Sequence, residues 1–240
     1  MESFATTDIG VKRQMNQDYI FCAENSVGSF PNLFIVADGM GGHKAGDYAS
    51  RTCVDCIVDS IKRSSLKTPV SIFEEAINRA NTQVLKDSKT NIQYEGMGTT
   101  FVGAVITDNT LYVANIGDSR LYIVNNKEIR QVTQDHSLVE EMIRNGEIER
   151  KEARLHPNKN IITRALGTNE EVMADYFEVE MQKEDIILMC SDGLSNMMED
   201  EDMMYILRRY DHLDIAGNQL IEKANDCGGK DNISIILIRI

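Results

Sequence analysis

No apolar stretch in this 240-residue chain is long enough to cross a bilayer; runs such as Ile186–Cys190 and Ile235–Ile238 stop far short of the roughly 20 residues a spanning helix needs. The N-terminus also lacks the basic-then-apolar pattern of a secretory signal, so a cytoplasmic location and no membrane partner are expected. Basic residues are in short supply, with 25 Lys and Arg against 38 Asp and Glu and a formal net charge of −13. Binding to a phosphate backbone rests on clustered cations, so no nucleic-acid partner is expected. Cysteines are few and odd in number, five in all at Cys22, Cys53, Cys56, Cys190 and Cys227, which excludes a disulfide-stapled framework and implies reduced thiols. Cys53 and Cys56 have CxxC spacing, but they lie in a helical pattern with no second pair, so buried thiols are expected there in place of zinc or redox chemistry. The four histidines, His43, His136, His156 and His212, show no zinc-ligand spacing. Also missing are a GxxxxGK[ST] nucleotide loop, a calcium loop of the D-x-[DN]-x-[DN]-G type, and the DxDxT signature of an aspartyl nucleophile.

What is present is ordinary for a globular protein: 42% hydrophobic and 26% charged residues, enough to close a sizeable core, with one domain over residues 1–240. Asn32 to Ala37 reads as a buried strand, followed by the glycine-rich Asp38-Gly-Met-Gly-Gly42 and a helix from about Ala45 to Ile61. Ser71 and Glu74 suggest a capping box opening a second helix, with Phe73, Ala76, Ile77, Ala80 and Val84 as its buried stripe. Thr99 to Thr107, Thr110 to Ile116 and Arg120 to Val124 read as an antiparallel meander turning at Asp108-Asn109 and Asn125-Asn126. Ser137 with Glu140 caps a short helix ending near Gly146, and the charged, weakly patterned Glu147 to Asn160 looks like a surface insertion. Further strands are expected at Ala174 to Glu180, Ile186 to Ser191 and Asn232 to Ile240, and helices at Asp200 to Tyr210 and Ile215 to Ala224. Strands and helices come in blocks, which favours an α+β fold.

Four apolar strands carry an aspartate at one end: Leu33–Ala37 before Asp38, Tyr112–Ile116 before Gly117-Asp118, Ile186–Cys190 before Ser191-Asp192, and Asp231 before Ile233–Ile238. A single Asp-Gly is ordinarily no more than a turn. Four at strand ends can gather at one sheet edge, where mutual repulsion calls for cations, and all-oxygen donors select hard ions such as Mg²⁺ or Mn²⁺.

With Gly10-Val-Lys-Arg13-Gln-Met-Asn16-Gln-Asp18, Asp38-Gly-Met-Gly-Gly-His43, Gly98-Thr-Thr100, Gly117-Asp-Ser-Arg120, Ser191-Asp-Gly193 and Asp231-Asn232 in this order, the chain resembles the metal-dependent (type 2C) protein phosphatases, in their bacterial branch. The resemblance implies a four-layer α+β sandwich, two stacked antiparallel sheets flanked by helices, with a flap over roughly residues 137–167 that helps select substrates. It implies an enzyme, a hydrolase acting on phosphoserine and phosphothreonine of phosphoproteins in cytoplasmic signalling, among them a Ser/Thr protein kinase and its substrates. By motif, Asp38 would bridge two Mn²⁺ or Mg²⁺ ions, the Gly39 carbonyl would help hold one, and Asp192 and Asp231 the other. Asp18 would order metal-bound water, Asp118 would serve a weaker third ion with Asp192, and Arg13 would clamp the substrate phosphate with its planar guanidinium. Two cations would acidify a bridging water for in-line attack on phosphorus.

Two positions depart from the family pattern: Gln17 stands where many relatives carry glutamate, and Met40 where eukaryotic members place a histidine general acid. No side chain is therefore assigned as the leaving-group acid and metal-bound water is the expected donor; His43, His136 and His156 are open to the role, but a lone histidine is more often structural. The alternative to an enzyme, a catalytically inactive phosphatase fold serving as a regulatory module, would require lost ligands, and Asp38, Asp192 and Asp231 are all present.

Overall fold

The computed structural model describes residues 1–42 and 45–240. In chain order the strands are β1 (Glu2–Asp8), β2 (Asp18–Ala23), β3 (Leu33–Met40), β4 (Gly98–Thr99), β5 (Phe101–Thr107), β6 (Thr110–Ile116), β7 (Arg120–Val124), β8 (Ile129–Gln131), β9 (Asp175–Glu180), β10 (Ile186–Cys190) and β11 (Ile233–Arg239). The helices are α1 (Ala45–Arg63), α2 (Pro69–Thr90), α3 (Leu138–Arg144), α4 (Arg150–Ala153), α5 (Asp192–Ser195), α6 (Asp200–Arg209) and α7 (Leu213–Asp226). One sheet runs β1-β11-β10-β7-β8 and the other β2-β3-β5-β6-β9 with β4 on β3, and the strand pairs are antiparallel.

Side-chain alternation along the strands builds four layers. In β3, Leu33, Ile35 and Ala37 pack with α1 and α2, whereas Phe34 and Val36 point between the sheets against Leu121, Ile123, Ile187, Met189, Ile236 and Ile238. In β11, Ile233, Ile235 and Leu237 face the outer helices α6 and α7 through Met203, Leu207, Ala216 and Leu220. Both faces of the central strands are therefore buried, which is why they read as continuous apolar runs without the alternation of a half-solvated sheet. The order is helices, sheet, sheet, helices, the α+β sandwich that the resemblance implied.

Three expectations need correction. The expected meander is split: β5 and β6 form a hairpin through Asp108 and Asn109, both at positive φ, but β7 leaves that sheet and pairs with β10 and β8. Gly117 makes the crossing possible: it sits at φ +102, and a Cβ there would lie 2.7 Å from the Thr100 side chain. Helix α2 opens three residues earlier than a Ser71 cap would allow, because Pro69 fixes the first helical φ and Thr68 supplies the cap, its side chain accepting from Ser71 N. Finally β1, β2, β8 and the short α4 and α5 had no expected counterpart; β1 holds Glu, Ser, Ala, Thr and Asp beside one Phe, too polar to announce a strand.

Elsewhere the expected elements are present, with Ser137 capping α3 by accepting from Glu140 N. Between residues 137 and 167 lie α3 and α4, and the segment is tied down at its ends by the bridges Ser137–Ile162 and Thr99–Leu166.

Candidate metal centre

Five aspartates meet where the two sheets end. Asp18 at the start of β2 lies opposite Asp38 near the end of β3. Asp192 follows β10, Asp231 precedes β11, and Asp118 sits on the crossing from β6 to β7. Both threonines of the Gly98-Thr-Thr100 motif fix Asp38: its N donates to Thr100 Oγ1 (2.9 Å), and its carbonyl accepts from Thr99 Oγ1 (2.9 Å) and Thr100 N (2.8 Å). Gly39 follows in a space that admits no side chain, since a Cβ would come within 2.0 Å of the Gly46 carbonyl and 2.7 Å of the Gln17 carbonyl. Its own carbonyl lies against the first turn of α1, 2.6 Å from where a Cβ of Gly46 would stand.

Asp18 is buried and held by Ser191, whose Oγ donates to Oδ2 at 2.7 Å while accepting from Ser234 N at 3.0 Å. Asn232 ties the neighbouring loops together, accepting from Gln17 N and donating to the Ile9 and Met15 carbonyls. Arg13, half-exposed, donates to Asp231 Oδ2 at 2.6 Å. Arg120 makes a forked pair with Asp135, with contacts of 2.6 to 3.0 Å.

The carboxylates perturb one another as five like charges must. Burial first, and then the charges of Asp192 and Asp231, push Asp18 up to about 7 against the hydrogen bonds of Ser191 and Ser234. Burial and Asp231 push Asp192 to about 6. Asp38 is raised well above the usual carboxylate range by burial and by Asp18, Asp192, Asp118 and Asp231; Asp118 is raised by burial, Asp192 and Asp135, with Arg120 opposing.

This arrangement fits divalent cations. Every side-chain donor is a carboxylate oxygen, and two buried ones, Asp18 Oδ1 and Asp192 Oδ1, have no hydrogen-bond partner among the described residues. An unpartnered buried oxygen costs free energy that an ion recovers. No group of three or more His, Cys, Asp or Glu among the described residues is closed into a ligand shell. A small hard cation does not require one, because it keeps several waters and takes one or two carboxylates.

A family model described as protein phosphatase 2C matches residues 10–224. The chain belongs to the protein phosphatase 2C family. It is 41% identical over 236 residues to the serine/threonine phosphatase stp of Listeria monocytogenes serotype 4b, covering 97% of this chain and 93% of that one. The crystal structure of the serine/threonine phosphatase Stp1 from Staphylococcus aureus superposes with a TM-score of 0.93 at 34% identity, covering 100% of this chain and 94% of that one. The catalytic domain of the serine/threonine protein phosphatase PstP, in complex with two manganese ions, superposes with a TM-score of 0.85 at 30% identity, covering 98% and 96%.

Asp18, Asp38, Asp118, Asp192 and Asp231 thus lie close enough to act on one another electrostatically, with Arg13 bonded to Asp231, and Asp118 and Asp192 line a common cavity. Sequence reasoning gave no role to Ser191, Ser234, Thr100 or the Asp135–Arg120 pair; all but Asp135 stand in or near a quoted motif, but a supporting role shows only in hydrogen bonds. His136 is removed from the possible acids. Its ring is buried, Nδ1 accepts from Gly117 N (3.0 Å) and Nε2 meets Asp175 Oδ2 (3.1 Å), while burial lowers its pKa. His156 Nδ1 accepts from Asn158 N at 3.2 Å in the 137–167 segment, and His43 lies outside the described residues.

Proposed function

We infer that this chain is a metal-dependent protein phosphatase that hydrolyses phosphoserine and phosphothreonine. The observation that carries the reading is the match to the family over residues 10–224 together with a cleft where Asp18, Asp38, Asp118, Asp192 and Asp231 remain intact and mutually repelling. Intact carboxylates favour a working enzyme over an inactive regulatory module.

Asp38, the Gly39 carbonyl, Asp192 and Asp231 would hold two Mn²⁺ or Mg²⁺ ions, and Asp118 with Asp192 a weaker third. When bound, the ions supply Lewis acidity and lower the pKa of water to near neutrality. The protein's own groups do the remaining work. Arg13 offers a forked guanidinium to the phosphate oxygens, exchanging the single hydrogen bond it makes with Asp231 for two to the substrate. Asp18, fixed by Ser191 at Oδ2, leaves Oδ1 to accept from water in the cleft.

Phosphoproteins are the substrates, and a Ser/Thr kinase that makes the phosphoester is the natural opposing enzyme and one of the targets. We place this activity in the cytoplasm as part of the same reading; no helix among the described residues is long and apolar enough to cross a membrane. The segment 137–167 is the flap within one phosphatase domain, beside a cavity of about 360 Å³ that runs from Asp118 and Asp192 to Arg150, Arg154 and Lys159. Phosphate release from a phosphothreonine peptide tests the function: turnover is expected with Mn²⁺ or Mg²⁺ and none after exhaustive chelation. Full turnover in the chelated protein would overturn the mechanism.

A further inference from the structure

We propose that His136 is a positioning residue for Asp118, holding the loop that presents this carboxylate and joining it to the base of the flap. The inference rests on the reading of Asp118 as the ligand of a weaker third ion.

The geometry is specific. Residue 136 takes both backbone groups of Gly117: its ring Nδ1 accepts from Gly117 N at 3.0 Å, and its own N donates to the Gly117 carbonyl at 2.9 Å. Because Nδ1 is an acceptor, the ring proton is on Nε2, which donates to Asp175 Oδ2 at 3.1 Å. Asp175 in turn accepts from Arg164 at 2.8 Å on its other oxygen. The neighbouring residue Asp135 grips Arg120 through its forked pair, so consecutive side chains pin residues 117 and 120 on either side of Asp118. The same stretch starts the flap: the His136 carbonyl accepts from Thr163 N at 2.8 Å, and Ser137 caps α3.

Gly117 sits at a φ of +102, one of several conformations open to glycine, so its contacts must select it, and Asp118 is repelled by Asp192. Without the ring contact, the Gly117 N–H is a buried donor lacking its partner, and the loop relaxes away from the carboxylates it must oppose. A third ion that depends on Asp118 then weakens, whereas Asp38, fixed by Thr99 and Thr100, and Asp231, whose Oδ1 accepts from Asn232 N, are untouched.

Asparagine and glutamine separate positioning from packing. Asn places its Oδ1 near the Nδ1 position and still accepts from Gly117 N; Gln, closer to histidine in volume, places its amide near Nε2 and loses that acceptor. Calorimetric Mn²⁺ titration of the wild type is expected to show a tight class and a weak class, the weak one removed by Asp118→Ala. His136→Gln should weaken the weak class roughly tenfold or more with the tight class unchanged, and His136→Asn by less than about threefold. The Gly117 amide proton, read by NMR without metal, should stay downfield in His136→Asn and move upfield in His136→Gln. Where His136→Gln does not fold, Asp175→Ala, at the exposed end of the network, should weaken the same class. A weak class that Asp118→Ala abolishes but that keeps wild-type affinity in His136→Gln or Asp175→Ala, or Gln outperforming Asn, would overturn the inference. Absence of any weak class in the wild type, or its survival in Asp118→Ala, would overturn the three-ion reading instead.

Discussion

On the proposed function, Arg13 would face two anions in turn. Its guanidinium bonds Asp231 Oδ2 at 2.6 Å with almost half of its side chain exposed, so the pair is a surface contact of small net worth that a better-placed anion can replace. On that reading a cation on Asp231 would remove the competitor and free the guanidinium for phosphate. Arg13→Ala is therefore expected to weaken inhibition by inorganic phosphate by about 1.5–3 kcal/mol, roughly ten- to a hundredfold, while Mn²⁺ affinity stays equal or tightens because Asp231 loses its rival. Phosphate inhibition and Mn²⁺ titration on the same variant check both halves; loss of metal affinity with intact phosphate inhibition would reverse the assignment. Asp38, Asp118 and Asp192 were legible from the sequence because an acid next to glycine beside an apolar run is a local pattern, and Asp231 because it precedes one; Asp18 was named only through the family resemblance. Ser191 was not, since its hydrogen bond to Asp18 spans 173 positions of chain and leaves no local trace.

Among the elements, those with a complete apolar face were legible and those at the margins were not. Helix α1 begins at the expected residue, and the buried stripe of α2 includes all five expected positions, because helical periodicity is set by packing. The start of α2 was misplaced because two capping patterns overlap within four residues, and the one with proline at the first turn prevails. The assignment of β7 to the other sheet was invisible, since nothing in its composition tells which sheet it joins. Asn81, buried on α2, was unremarked, yet it anchors the chain over residues 167–170: Oδ1 accepts from Gly167 N at 2.7 Å and Nδ2 donates to the Asn169 and Glu170 carbonyls. Asn81→Ala strands a buried N–H and is expected to cost about 1–3 kcal/mol. Urea unfolding measures it, and a change below about 0.5 kcal/mol would show that the anchor carries no stability.

At the scale of the whole molecule, the cleft sets stability against function. Asp18 rises from 3.8 to about 7 and Asp192 from 3.8 to about 6, chiefly by burial, and Asp38 and Asp118 move the same way. As pH rises from about 4 to 7, the unfolded chain releases these protons first while the folded chain retains them. The folded state then binds more protons, and metal-free stability falls across that window. For Asp18 alone the loss is at most on the order of 4 kcal/mol. His136, lowered by burial, opposes this slope as one group against four. Divalent ions bind the deprotonated cluster, so they restore stability at pH 7.5, by about 2.7 kcal/mol per ion at a hundredfold excess over its dissociation constant, and lose that effect on acidification. Asp18→Asn removes one repelling charge and leaves Ser191 an acceptor. In chelator at pH 7.5 the variant should therefore unfold at a higher urea concentration than the wild type, the gap should narrow steadily as pH falls toward 5 without closing, and Mn²⁺ should stabilise the variant less. Urea midpoints across pH 5–8, with chelator and with Mn²⁺, supply the comparison. A metal-free wild type that becomes steadily more stable from pH 5 to 7, with Asp18→Asn parallel to it, would show that the carboxylates are not held against their own repulsion in the fold.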